Sequence, residues 1–267
     1  MTLAGSNTMG AIRSSDDDRE GRPSDALRRA VGVVIAVKDL TAAKSRLASE
    51  FSGADRTRLV LAMFVDTVTA AGSVSVVDSV TVVTPDPVVA DTARQIGARV
   101  LDEPSASGAR NPEARLNAAF SAAAAALRVD HGPRDRHGNP GAAPADRVDI
   151  VALQADLPAL RPAELAQAYA TAISGGRSVV VDHHGTGTAA LILKNSADEL
   201  APLFGSDSAR RHTLSGARPL DGTWPGLRLD VDTVDDVRRA HRLGVGPETT
   251  AVLRSLGWSD EESATTA

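Results

Sequence analysis

The sequence predicts an α/β fold, a mostly parallel central sheet with helices on both faces. Three observations carry that expectation. Short apolar runs rich in β-branched residues, at 31–37 and 148–153, read as strands buried on both faces. Segments of helical length alternate with such runs along most of the chain, the pattern of strands joined by crossover helices. The chain has 267 residues, 42% of them hydrophobic, enough to bury a sizeable core.

The elements follow in order. Residues 31–37 form the first strand. Residues 55–71 have the length of a helix, with Asp55 as its N-cap. A strand at 79–84 stops at Pro85, and a helix at 86–96 is closed by Gly97. Residues 99–101 make a short strand. A helix at 112–128 has Pro112 in its first turn and an alanine-rich middle. The buried strand at 148–153 leads to a helix at 161–173, then to strands at 177–181 and 189–193. Residues 209–214 are expected to be helical, 227–231 a strand, and 234–243 the final helix.

Residues 1–30, rich in Gly, Ser, Asp and Arg and without periodicity, are expected to be a disordered tail, and 258–267 another. Residues 130–146 read as a surface loop insertion. A single domain at 31–257 carrying that insertion remains between the tails.

Composition removes several classes of function. No cysteine is present, which excludes a disulfide framework, a thiolate metal site and a cysteine nucleophile. Twenty-nine basic residues against 34 acidic ones give a net charge of −5, which argues against a general polyanion binder but leaves room for a local basic pocket. Four Phe, two Trp and one Tyr are too few for a base-stacking platform, so no nucleic-acid partner is expected. No run approaches the roughly 18 apolar residues of a membrane span. The first thirty residues include Asp16, Asp17, Asp18 and Glu20 and no apolar core, so no secretion signal is expected and the cytoplasm is the default compartment.

In sheets of this type ligands bind beyond the carboxyl ends of the strands. Lys38, Lys44 and Arg46 follow the first strand, and three cations there would suit a triphosphate and its leaving pyrophosphate; a solvated basic loop is the alternative. The segment has neither G-x-x-x-x-G-K-S/T nor G-x-G-x-x-G, so it is no P-loop and no dinucleotide fingerprint. Asp156 follows the strand at 148–153 and lies too far upstream to cap the next helix. Asp230 and Asp232 are spaced so that in an extended segment both point the same way. Three carboxylates without a histidine cluster suit Mg²⁺ better than Zn²⁺. The alternative, that Asp232 or Thr233 caps the following helix, is compatible with it. Two Gly/Ser/Thr turns, 185–189 and 204–212, are either plain turns and caps or places where a ligand meets the backbone. Asn117 and Gln154 are further candidates for polar contacts to a nucleotide, with helix-surface and strand-end roles equally open. The six histidines show no ligand spacing and read as surface residues, and no G-x-S-x-G elbow supports a hydrolase.

Taken together, residues 34–38 with 43–47, then 153–160, 185–189, 204–212 and 224–233 resemble, in the same order, the 2-phospholactate or phosphoenolpyruvate guanylyltransferases of deazaflavin-coenzyme biosynthesis. The resemblance implies a nucleotidyltransferase (Rossmann-like) fold, related to sugar-nucleotide and molybdopterin nucleotidyltransferases. It implies that Asp156, Asp230 and Asp232 hold Mg²⁺ and that Thr188, Gly205 and Ser208 contact a phosphorylated three-carbon acid. Lys38, Lys44 and Arg46 would clamp GTP, and the substrate would be phosphoenolpyruvate rather than phospholactate. A downstream transferase that consumes the labile product is an implied partner. The tail, the insertion and the lack of Pro after Gly205 depart from the family pattern. Two other readings stand beside this one. A sugar-nucleotide or molybdopterin-type enzyme would carry a Gly-rich first loop where Lys38 to Leu47 stands. A non-catalytic nucleotide-binding module would not need three aspartates placed for a metal.

Overall fold

The computed structural model describes residues 29–38, 44–103, 111–130 and 148–258. Residues 1–28 and 259–267 of the expected tails, and 131–146 of the expected insertion, lie outside these residues. Seven strands are described: β1 (Ala30–Ala36), β2 (Ser79–Val83), β3 (Arg99–Leu101), β4 (Val148–Leu153), β5 (Gly176–Val181), β6 (Thr188–Lys194) and β7 (Arg218–Pro219). They form one sheet in the order β3-β2-β1-β4-β6-β5-β7. The pairs β1–β2, β1–β4, β2–β3 and β5–β7 are parallel, while β6 runs antiparallel to both β4 and β5. Ile35 lies opposite Val82 on one side and Leu153 on the other, so the carboxyl ends of the three central strands finish level.

Both faces of the sheet are covered, as the uninterrupted apolar runs require. Alternate residues of a strand point to opposite faces. Val33, Ile35, Val151 and Leu153 pack on one side against Leu59, Met63 and Phe64 of α1 (Gly53–Gly72), Leu165 of α4 (Pro162–Thr171), Val237 of α7 (Val234–Leu243) and Leu253 of α8 (Pro247–Ser255). Val34, Ile150 and Leu191 pack on the other against Phe120 and Leu127 of α3 (Pro112–Asp130) and against Phe204. Gly32 lets α3 approach closely, since a Cβ there would lie 2.6 Å from Leu127 Cδ1.

Local signals explain most helix starts. Asp86 caps α2 (Pro87–Gln95), accepting the Val88 and Val89 N–H groups at 2.8 and 3.3 Å. At α1 the cap is Ser52 and not the expected Asp55. Ser52 Oγ accepts the Asp55 N–H at 3.2 Å and donates to its carboxylate at 2.7 Å, so Asp55 is the third residue of the helix. Among the described residues no helix is long and apolar enough to cross a membrane.

Two expectations near the carboxyl end are corrected. Residues 227–231 are not a strand. Pro225 opens a single turn, α6 (Pro225–Arg228), whose Gly226 and Leu227 N–H groups point into the buried Glu164 carboxylate at 3.2 and 2.8 Å. The backbone beyond is held by loops rather than a ladder, with the Val231 N–H donating to Asp156 O at 3.1 Å. The edge strand is β7 instead. Nor is 234–243 the final helix, because α8 follows it and docks on α1. Trp258, at the start of the segment expected to fray, stacks on Phe51 with ring centroids 5.8 Å apart.

Candidate active site

A cavity of about 570 Å³ opens beyond the carboxyl ends of β1 and β4. Lys38, Lys44, Arg46, Gln154, Asp156, Asp230 and Asp232 line it. The structure therefore brings seven of the sequence-selected residues into one crevice from three stretches of chain. Lys38 and Lys44 come from beyond β1, Asp156 from beyond β4, and Asp230 and Asp232 from the segment leading into α7. Lys44 stands in the left-handed region, at φ 58°, where a side chain is strained, and a 3-10 turn at Ser45–Leu47 follows it. The buried Leu47 anchors that turn, its N–H donating to Lys44 O at 2.9 Å.

The Lys44 ammonium bridges the carboxylates of Asp156 and Asp232, donating to Asp232 Oδ1 at 2.5 Å. Burial pulls its pKa down, but the two carboxylates outweigh that and hold it well above the ordinary lysine range. Asp230 has the opposite balance. Burial first, then the charges of Asp156, Asp182 and Asp232, push its carboxyl up to about 8. Three carboxylates crowded into one crevice thus exceed the charge that Lys44 alone neutralises. Asp156 Oδ1 and Asp230 Oδ1 are buried without a hydrogen-bond partner among the described residues. An all-oxygen set with two unpartnered buried oxygens fits a hard divalent cation.

Thr233 does cap α7, in a capping box with Asp236: Thr233 Oγ1 accepts the Asp236 N–H at 3.2 Å, and Asp236 Oδ2 accepts the Thr233 N–H at 2.9 Å. Asp236 Oδ2 also accepts the Asp232 N–H at 3.2 Å, so the cap orients the backbone that presents Asp232 to the cavity. Capping and presentation are compatible here.

Thr188, Gly205 and Ser208 do not line this cavity but group beside it. Residues 182–187 make the turn between the antiparallel β5 and β6, with the Thr186 N–H donating to Asp182 Oδ1 at 3.1 Å. Thr188 opens β6, and Gly205 and Ser208 belong to the turn into α5 (Ser208–Leu214). The two turns are tied by the Ala209 N–H donating to Thr186 O at 3.0 Å, and Gln154 reaches back from the cavity, Nε2 donating to Thr188 O at 3.2 Å. Thr188 and Ser208 are buried.

Three groups, His212, His183 and Glu113, carry no functional signal in the sequence. His212 is fully buried, contrary to the surface reading. Its Nε2 accepts the Leu203 N–H at 2.8 Å, so the neutral ring carries its proton on Nδ1 and donates it to Thr188 Oγ1 at 3.0 Å. Burial, then the charges of Arg177 and Arg211, lower its pKa to about 4. His183 is also mostly buried. Its Nε2–H donates to Asp236 Oδ1 at 2.9 Å, and Nδ1 faces Asp230 at 3.4 Å. On α3, Glu113 and Asn117 lie one turn apart on the face toward Phe204. Asn117 donates to Phe204 O and accepts its N–H, at 2.9 and 2.7 Å, which commits that amide to structure rather than to a nucleotide. The Glu113 carboxylate accepts the Ser206 N–H and hydroxyl at 2.8 and 2.9 Å, and these bonds hold it below the usual carboxylate range. Gly205, at φ 121°, makes this approach possible, since a Cβ there would lie 2.3 Å from Glu113 Cδ.

A family model described as "Guanylyl transferase CofC like" matches residues 31–127. A phosphoenolpyruvate guanylyltransferase of Nocardia farcinica is 54% identical over 230 residues, 86% of this chain and 93% of that protein. One of Mycolicibacterium smegmatis is 49% identical over 251 residues, 94% and 98% of the two chains. Among solved structures, a nucleotidyl transferase from Methanothermobacter thermautotroptrophicus superposes with a TM-score of 0.52 at 18% identity, over 85% of this chain and 99% of that one. That likeness concerns the fold.

Proposed function

The chain belongs to the family of CofC-like guanylyl transferases, and on that premise we propose that it transfers GMP from GTP to the phosphate of phosphoenolpyruvate, with release of pyrophosphate. The observation that carries this reading is the crevice itself, where three carboxylates with two unpartnered oxygens face three cations at the carboxyl ends of adjacent parallel strands.

A phosphate oxygen of the acid attacks the α-phosphorus of GTP. The new P–O bond joins acid and GMP, and the bond between the α-phosphorus and the bridging oxygen breaks toward pyrophosphate. The nucleophile is already an anion, so no general base is needed. What remains is in-line placement and charge neutralisation. Lys38, Lys44 and Arg46 hold the triphosphate and take up the charge that develops on the leaving group. Lys44 is the best placed of the three, since its ammonium already stands between Asp156 and Asp232. Asp156, Asp230 and Asp232 would hold Mg²⁺, which supplies neutralisation of the reacting phosphates when bound. Thr188, Gly205 and Ser208 hold the acid. His212 supports that role by fixing the Thr188 hydroxyl as its acceptor. Its neutral ring leaves the pocket's charge unchanged at pH 7.

The reading carries three further parts: a place in deazaflavin coenzyme biosynthesis, a cytoplasmic location, and a downstream transferase that takes over the labile product. A single domain at 31–257, with tails and an insertion around it, is the organisation that goes with them.

The test is a panel assay. Mg²⁺ with GTP or ATP is offered phosphoenolpyruvate, 2-phospholactate and 3-phosphoglycerate separately, and pyrophosphate is measured, with a trapping transferase present to consume the product. Release with GTP and phosphoenolpyruvate supports the reading. Release only with 2-phospholactate or 3-phosphoglycerate, only with ATP, or with no pair at all overturns it.

A further inference from the structure

The turn between β5 and β6 carries a pair of histidines that the transfer reaction leaves unused. Asp182 O accepts the Gly185 N–H at 3.2 Å, which places His183 and His184 at the centre of a tight turn. Along an extended strand two consecutive side chains would point to opposite faces. The turn brings them together instead, with ring centroids 3.7 Å apart. The His183 N–H donates to Arg228 O at 2.8 Å and pins the turn against the end of α6.

Asp236 completes the group from the first turn of α7. One ligand atom from each of His183, His184 and Asp236 lies within 4.8 Å of the other two. The Asp236 side chain is 2% exposed. Its Oδ2 accepts the Thr233 N–H, the Thr233 hydroxyl and the Asp232 N–H at 2.9, 2.8 and 3.2 Å. Its Oδ1 faces Nε2 of His183 at 2.9 Å and Nε2 of His184 at 4.0 Å. The capping box thus fixes one oxygen and aims the other at the imidazole pair. His184 is half exposed, so an ion can reach the group from solvent. None of the three residues lines the crevice of Asp156, Asp230 and Asp232.

A second observation points to ligation. His183 Nδ1 and Asp230 Oδ1 are both buried, face each other at 3.4 Å, and have no hydrogen-bond partner among the described residues. With its proton on Nε2, bonded to Asp236, the neutral ring offers Asp230 no donor. An ion on Nε2 moves that proton to Nδ1. The ring stays neutral, and Nδ1–H then meets Asp230 Oδ1. A carboxylate behind the far nitrogen is the usual support of a metal-bound histidine. An oxygen of a carboxylate has two lone pairs, so Asp230 Oδ1 keeps one for the crevice.

Two imidazoles and one carboxylate oxygen suit Zn²⁺ and its transition-metal neighbours, whereas the all-oxygen set in the crevice suits Mg²⁺. We propose that His183 Nε2, His184 Nε2 and Asp236 Oδ1 form a second metal site, selective for an ion of the Zn²⁺ class, which clips the β5–β6 turn to the start of α7 and orients Asp230 through His183. Water fills the remaining position. The site does not depend on the nature of the transferred group.

Co²⁺ is the probe, since four-coordinate Co²⁺ with imidazole ligands absorbs strongly in the visible and six-coordinate Co²⁺ on oxygens hardly does. The full chain, stripped with a chelator, is titrated with Co²⁺ in excess Mg²⁺ and then with Zn²⁺. Wild type, His184→Ala, His183→Gln and Asp156→Asn are compared, with circular dichroism to confirm the fold. The wild type is expected to take up a single Co²⁺ with a four-coordinate spectrum that Zn²⁺ erases. His184→Ala, at a half-exposed position, keeps the fold and weakens Co²⁺ binding about tenfold or more, and His183→Gln does the same. Asp156→Asn, which disables the crevice, leaves the spectrum and the Co²⁺ affinity unchanged. Wild-type protein without a four-coordinate spectrum overturns the proposal. So does a folded His184→Ala protein that keeps the wild-type Co²⁺ affinity, or a folded Asp156→Asn protein that loses the spectrum.

Discussion

Asp156 stands three residues beyond β4, and its carboxylate meets Lys44 on one oxygen while the other has no partner among the described residues. Asp156→Asn keeps the size and the hydrogen-bonding capacity but removes a charge from the proposed cation site. It is expected to lower turnover by about a thousandfold, several kcal/mol of transition-state stabilisation. Circular dichroism should show the fold retained, and a folded variant with near-normal pyrophosphate release contradicts the metal assignment. His212 yields a pH prediction. Its folded pKa is lowered to about 4, below the ordinary histidine value. Between about pH 6.5 and 4 the unfolded chain therefore binds a proton that the folded chain refuses. The stability tied to the neutral ring is fully present above pH 6.5 and is lost as pH falls through that window, on the order of 2 kcal/mol. Urea midpoints followed over this range should fall less in His212→Asn than in the wild type. Asp156 could be found from sequence because a lone carboxylate directly after a buried strand is a local signal. His212 could not, since Thr188, which accepts its proton, is 24 residues away.

At the scale of elements, the strands were legible where burial on both faces leaves an unbroken β-branched run, as in 31–37 and 148–153. The segment 227–231 has a similar look, but the preceding Pro225 starts a helical turn. Its N–H groups are then satisfied by Glu164, 62 and 63 residues earlier, a partner that no periodicity reveals. Helix α8 was missed for a related reason. Its start carries no side-chain cap of its own. Asp66 of α1 does that work from a distance, accepting the Glu248 and Thr249 N–H groups at 3.1 and 2.8 Å. Asp66→Ala would leave those N–H groups without that partner and should cost about 1–3 kcal/mol. A urea melt measures this, and an unchanged midpoint would show that α8 is held by its apolar face alone.

For the molecule as a whole, the strand order decides where chemistry can occur. β1 lies between β2 and β4, so the chain leaves the carboxyl ends of β1 and β4 in a crevice at the middle of the sheet. Lys38, Lys44 and Arg46 come from one side and Asp156 from the other. A net charge of −5 is no obstacle to binding a triphosphate there, because the field is set locally by those cations. The alternation of elements made this crevice legible before any coordinates. The antiparallel insertion of β6 was not legible, and it is what places Thr188 beside the α5 turn. The most direct test of the central claim is ³¹P NMR of the protein with Mg²⁺, GTP and phosphoenolpyruvate, recorded rapidly because the product is labile. The account predicts pyrophosphate together with a new coupled pair of diphosphate resonances, in which the α-phosphorus of GTP is joined to the phosphorus of the acid. Unchanged GTP signals, or pyrophosphate accompanied only by free GMP, would contradict it.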